Sequence, residues 1–223
     1  MLRLTVLYDN EACPGFTGSW GGFSALIETG TETLLFDTGW DGTLLLKNME
    51  KIGIDPACVN KLVLSHQHWD HIGGLPEILN ANSGITVYVP ASFSENLKRE
   101  IRKRAELIEV KESIEISDGI WSTGELGEKI KEQSLVLCTE KGSYVLTGCA
   151  HPGIAAILDA ALCHGEVKGI IGGLHDDDRF ERLEGMELIA AGHCTTHKEK
   201  IKELFRTKFM ETQAGLKLEL TTY

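Results

Sequence analysis

The sequence predicts an α/β fold in which two β-rich halves each feed helices, and three observations carry that prediction. Short Val-, Leu- and Ile-rich runs bounded by Gly, Asn, Asp or Pro recur along the whole chain. Segments of helical apolar spacing follow several of them. Several histidines fall at the ends of apolar strands, where α/β proteins usually build their sites.

The first forty residues alternate strand-like runs with turn chemistry, at 2–8, 22–28 and 33–36. A helix is predicted over 41–52, with Leu44, Leu45 and Met49 on its apolar side and Gly53 as its stop. Asp55-Pro56 opens a short helical turn before the strand 61–64. Beyond Gly74 come a helix to about 80, a strand over 85–89 ended by Pro90, and an amphipathic helix carrying Lys98, Arg99, Arg102, Lys103 and Arg104. Phe93, Leu97, Ile101, Ala105 and Ile108 recur through that helix at helical spacing, so its cations form a solvated face. Short strands follow at 114–116 and 119–122. The second half repeats the alternation: a hairpin 135–139 and 144–147 around Lys141-Gly142, a helix 153–163, strands 167–171 and 187–191, a helix 198–209 and a terminal strand 216–220. No sequence repeat, low-complexity tract or linker interrupts it.

Composition bounds the function. The 223 residues are 42% hydrophobic and 25% charged, as in soluble globular proteins, and hold no run of about 20 apolar residues that would cross a membrane. The start reads as a strand rather than a secretion signal. The six cysteines are scattered without a CxxC pair, which points to reduced thiols in a cytoplasmic protein. A net charge of −11 repels polyanions, so a small-molecule substrate is expected rather than nucleic acid or a membrane; the oligomeric state is open.

Function is read from Ser65-His66-Gln67-His68-Trp69-Asp70-His71-Ile72-Gly73-Gly74. Three histidines and an aspartate within six positions, after an apolar strand, suit zinc or another borderline first-row metal. More ligands must come from elsewhere. His151, His175 and His193 each follow an apolar strand, whereas His164 and His197 lie beside helix ends and are taken as surface residues. Asp176-Asp177-Asp178 reads as a solvated turn. Cys194 and Thr195, opening a helix, could offer backbone N–H groups to an anion or simply cap the helix.

The chain resembles metallo-β-lactamase-fold proteins over nearly its whole length, through Leu35-Phe36-Asp37-Thr38-Gly39, His66–His71 and His193. More narrowly it resembles the 7,8-dihydropterin-6-methyl-4-(β-D-ribofuranosyl)aminobenzene-5'-phosphate synthase-like branch. That likeness rests on Asp9-Asn10, Gly22-Phe23-Ser24, Ser122-Thr123-Gly124-Glu125-Leu126, Glu132-Gln133-Ser134-Leu135, Gly148-Cys149-Ala150-His151-Pro152-Gly153, Gly172-Gly173-Leu174-His175 and Gly192-His193-Cys194-Thr195. The resemblance implies a four-layer αβ/βα sandwich: a single domain over 1–223 made of two αβ halves, about 1–117 and 118–223. It implies a first metal on His66, His68 and His151 and a second on Asp70, His71 and His193, with Asp37 hydrogen-bonding a ligand histidine.

The chemistry implied is a zinc-dependent hydrolase using a metal-bound hydroxide on an ester, lactone, thioester or phosphoester. Asp70 would orient the water, and His175 would act as proton donor, substrate contact or extra ligand. One or two zinc ions are expected in preference to iron or manganese, because position 68 is His rather than the Glu of the fold's iron enzymes. The run Thr147-Gly148-Cys149 stands where many members have Thr-Gly-Asp with a bridging carboxylate, so Cys149 is either a soft ligand or a small buried residue. The alternatives are a bond-forming enzyme of pterin metabolism and a non-catalytic metal- or ligand-binding protein.

Overall fold

The structure, a computed structural model, describes residues 2–19 and 21–220. In chain order the elements are β1 (Leu2–Tyr8), β2 (Ser24–Glu28), β3 (Thr33–Phe36), α1 (Gly42–Lys51), β4 (Lys61–Val63), α2 (Trp69–Ile72), α3 (Leu75–Ala81), β5 (Thr86–Pro90), α4 (Glu95–Arg102) and β6 (Glu106–Val110). There follow β7 (Ile114–Ser117), β8 (Ile120–Ser122), β9 (Leu135–Thr139), β10 (Gly142–Thr147), α5 (Ile154–Ala161), β11 (Val167–Gly173), β12 (Leu188–Gly192), α6 (Lys198–Leu204), β13 (Phe209–Glu211) and β14 (Lys217–Leu220). They form two compact units, Met1–Val110 with Gln213–Leu220 and Lys111–Thr212. The predicted α/β class holds.

The first unit carries one sheet of order β14-β1-β2-β3-β4-β5-β6. Its strands run antiparallel from β14 to β3 and parallel from β3 to β6. One face buries Leu7, Leu26, Leu35, Leu62, Val87 and Val89 against Leu45 and Met49 of α1, Leu75, Ile78 and Leu79 of α3, and Ile101 of α4. Such aliphatic burial is the dominant favourable term, about 1.5–3 kcal/mol per side chain. Helix α1 starts where Asp41 accepts hydrogen bonds from the N–H groups of Thr43 and Leu44, a capping role its position predicts.

The second unit holds the sheet β13-β12-β11-β10-β9-β8-β7. It is antiparallel from β7 to β10 and parallel from β10 to β13. Its separate core joins Val136, Val145, Ile170 and Ile189 to Ile154, Ile157 and Leu158 of α5 and Ile201 of α6.

Two predicted helices are shorter than the sequence suggests, and each gives way to a strand. The basic helix ends at Arg102, so Leu107 and Ile108 lie in β6 and pair with β5; the helix predicted to 209 ends at Leu204, and Phe209 opens β13. In both places apolar residues that continue a helical period are claimed by a parallel strand partner distant in sequence. The basic face is also less solvated than predicted. Lys98 is buried and bonds the Ala91 carbonyl at 2.9 Å and Glu109 at 2.8 Å. Among the described residues, no helix is long and apolar enough to cross a membrane.

Candidate metal centre

In the first unit the site is built on the carboxyl ends of β3 and β4, the usual location in α/β sheets. Residues 64–68 leave β4 as an irregular turn, and α2 then presents Asp70 and His71. Two glycines hold this turn against the segment after β3. A Cβ on Gly73 would stand 2.1 Å from the Trp40 carbonyl oxygen, and one on Gly74 2.5 Å from that of Thr38. No side chain fits at either position, which is the physical reason for the Gly-Gly after the histidines.

The turn collects four of the predicted ligands. The His66 ring centroid lies 4.6 Å from that of His68 and 4.2 Å from that of His71, while His71 Nε2 is 3.8 Å from Asp70 Oδ2. Beneath them the fully buried Asp37 accepts hydrogen bonds from the Ser65 N–H at 2.7 Å, the Ser65 hydroxyl at 2.6 Å and His71 Nδ1–H at 2.7 Å. With its proton given to Asp37, the Ser65 oxygen accepts from His66 Nδ1–H at 2.9 Å. One carboxylate and one hydroxyl thus fix both imidazoles in the tautomer whose Nε2 carries the lone pair.

In the second unit the corresponding positions are the carboxyl ends of β10, β11 and β12. Glu132, in the loop before β9, is buried and carries the turn after β10. Its Oε1 accepts from the N–H groups of Cys149 and Ala150, each at 2.9 Å; its Oε2 accepts from His151 N–H at 3.0 Å and His151 Nδ1–H at 2.8 Å. His151 therefore also presents Nε2. Sequence reasoning gave Glu132 no role, because its partners lie 17–19 positions away and are mostly backbone; Ser65 was missed because the carboxylate it serves, Asp37, lies 28 positions away.

His175 stacks near His151, with ring centroids 4.9 Å apart, and its Nδ1 bonds Asp176 Oδ1 at 2.8 Å. A cleft of about 480 Å³ is lined by both histidines together with Lys129, Ile130 and Asp176. A ligand atom of His193 also lies with those of Cys149 and Cys194, all three within 4.8 Å of one another. A hydrogen bond from the Cys149 thiol lowers the Cys194 thiol to about 7 against the opposing effect of burial, with the His193 imidazole adding to the fall. The described residues with φ > 0 that are not glycine are Asp37, Ala150, His175 and His193, all at strand ends of these two clusters. An L-residue in this region costs roughly 1–2 kcal/mol, a strain typical of functional positions.

Three expectations change. Asp177 is not solvated: it accepts from Ile154 N–H at 2.7 Å at the start of α5. Burial pushes its carboxyl up, but Arg179 and backbone N–H groups outweigh this and hold it below the usual range. Cys194 and Thr195 do not open a helix, since α6 begins at Lys198; the N–H groups of Thr195 and Thr196 are already bonded to the Gly192 and His175 carbonyls. His164 is not a bare surface group either, its ring stacking 4.7 Å from that of Trp121.

Imidazoles aimed by oxygen acceptors, a carboxylate and thiols form a donor set that fits a first-row metal ion, and in the second unit Cys149, His193 and Cys194 form a group able to hold one. Fold and donor set define an α/β protein with residues able to hold a metal ion. The profile of the metallo-beta-lactamase superfamily matches residues 17–180, and the chain belongs to that superfamily. It is similar to a solved metal-dependent hydrolase of the beta-lactamase superfamily, with 30% identity, 99% of this chain and 100% of that one covered, and a TM-score of 0.78. It is 26% identical to the 7,8-dihydropterin-6-methyl-4-(beta-D-ribofuranosyl)-aminobenzene-5'-phosphate synthase of Methanocaldococcus jannaschii, over 87% of this chain and 88% of the relative. Human tRNase Z, short form, shares the fold at 15% identity, with 98% and 99% coverage and a TM-score of 0.63.

Proposed function

We propose that the protein is a metal-dependent hydrolase, with zinc its metal, in which His66, His68 and His151 hold one ion and Asp70, His71 and His193 a second. The observation that carries this reading is the shared tautomer of His66, His71 and His151, each with Nδ1 committed to a buried oxygen of Ser65, Asp37 or Glu132. A packing histidine needs no such aim; a ligand does.

A metal ion so placed supplies Lewis acidity and lowers the pKa of a coordinated water towards neutrality. The chain's own groups supply the rest. Asp70, part-exposed beside His71, orients the attacking water. His175, with Nδ1 held by Asp176 and its side chain 44% exposed on the cleft, passes a proton through Nε2 to the leaving oxygen or sulfur. The positive φ of Asp37, Ala150, His175 and His193 is a strained conformation that persists only where the surrounding structure fixes it, as expected of preorganised groups.

The test is turnover of a panel of carboxylic esters, lactones, thioesters and phosphoesters before and after chelation. Chelation abolishes turnover, zinc restores it, and His66→Ala removes it. Chelator-resistant turnover, or none across the panel with metal bound, overturns the reading. The 26% identity to the synthase favours a second one, a bond-forming step on a pterin. Quenching of pterin fluorescence by the protein supports it, and no response to any pterin excludes it.

A further inference from the structure

We infer that the ion held by His193 is ligated by sulfur as well, from both Cys149 and Cys194. This rests on the metal-dependent reading above and adds two thiolates to the imidazole of His193 among the donors of that site.

The geometry is that of a ligand cluster. Cys149 ends the turn after β10 and Cys194 follows His193 in the turn after β12, yet the two sulfurs and a His193 nitrogen lie within 4.8 Å of one another. Metal–sulfur and metal–nitrogen bonds of about 2.3 and 2.0 Å place the corners of a tetrahedral site roughly 3.5–3.8 Å apart, inside that limit. The intervening strand makes room for them. A Cβ on Gly173 of β11 would stand 2.6 Å from Cys194 Sγ and 3.2 Å from Cys149 Cα, so only glycine lets the sulfurs share this space.

The backbone is held to the same end. Ala150 and His193, the residues next to the two cysteines, both adopt positive φ. Glu132 fixes the Cys149 N–H at 2.9 Å, and the Thr195 hydroxyl accepts from Leu174 N–H at 3.0 Å, pinning the turn that carries Cys194. Neither thiol is in a disulfide. Ligation releases each thiol proton to solvent and forms two metal–sulfur bonds, with no change of oxidation state.

The test is optical. Metal-free protein, kept reduced, is titrated with cobalt(II) as the probe. The wild type develops a near-ultraviolet thiolate-to-cobalt charge-transfer band together with the visible ligand-field bands. Cys149→Ser and Cys194→Ser each lower the band roughly by half, and Cys163→Ser, an exposed cysteine outside the cluster, leaves it unchanged. Ligand-field bands without a charge-transfer band in the wild type overturn the inference while sparing the hydrolase reading, and need no variant to fold. A band at full strength in both Cys194→Ser and Cys194→Ala, each with wild-type circular dichroism, also overturns it by leaving Cys149 alone. Failure to bind any cobalt overturns both readings.

Discussion

Glu132 receives four hydrogen bonds from a single turn, three from backbone N–H groups and one from His151. Glu132→Gln keeps the shape but presents an amide NH₂ where two donors need an acceptor. Each charge-assisted bond contributes about 1.5–3 kcal/mol, so the variant should lose about 3 kcal/mol in chemical denaturation, with a lower denaturant midpoint. Asp37→Ala removes the acceptor of His71 and Ser65 together. It should weaken metal binding by roughly 10–100-fold in competition with a chromophoric chelator, while the ligands themselves are intact. The ligand types were legible in the sequence because metal chemistry restricts them to a few side chains at close spacing. Glu132 and Ser65 were not, because nothing local marks a carboxylate that serves a turn 17–19 residues on, or a hydroxyl whose role is set by a carboxylate 28 residues earlier. His175 was flagged as a strand-end histidine, but its approach to His151 depends on a positive φ that composition does not announce.

At the scale of elements, α4 and β6 are tied by charge. Lys98 and Arg102 of the helix both bond Glu109 of the strand. The hydrogen bond from Lys98 holds the Glu109 carboxyl below its ordinary 4.5, with burial opposing and Arg102 adding to the fall. A carboxyl lowered on folding stabilises the fold fully above its unfolded value, and the contribution disappears as pH falls through the lower folded value. Glu109→Gln should therefore be less stable than wild type at neutral pH, by about 1 kcal/mol after allowance for solvent screening. The gap should close as denaturation is repeated at pH values progressively below 4.5. The same region shows why β6 was invisible: Leu107 and Ile108 continue the period of the preceding helix without an intervening Gly or Pro, and only pairing with β5 reveals the strand. The meander β1–β3 was read nearly to the residue, since its partners are adjacent in sequence and its boundaries carry turn residues.

At the scale of the molecule, each unit follows three antiparallel strand pairings with three parallel ones, although the sequences of the halves share no repeat. Each builds its candidate ligands on strand ends, so a bound ion stabilises the folded chain alone. With free zinc at about 100 times its Kd, the gain is about 2.7 kcal/mol, and calorimetry should record a lower Tm once the metal is chelated.

The return of β14 to the first sheet has a further consequence. It covers β1, whose residues Leu2, Leu4, Val6 and Leu7 would otherwise present an apolar strand with a row of unmatched backbone donors and acceptors, a template for cross-β association. Along β14 itself Lys217 and Glu219 are exposed while Leu218 and Leu220 face inward, so the sheet ends in an edge with charge on its outer face. Removing residues from 213 onward should thus convert a monodisperse protein into one that scatters light and binds thioflavin T, whereas reversing the two charges, Lys217→Glu with Glu219→Lys, should leave it dispersed. On this view the last strand acts chiefly as a guard against aggregation.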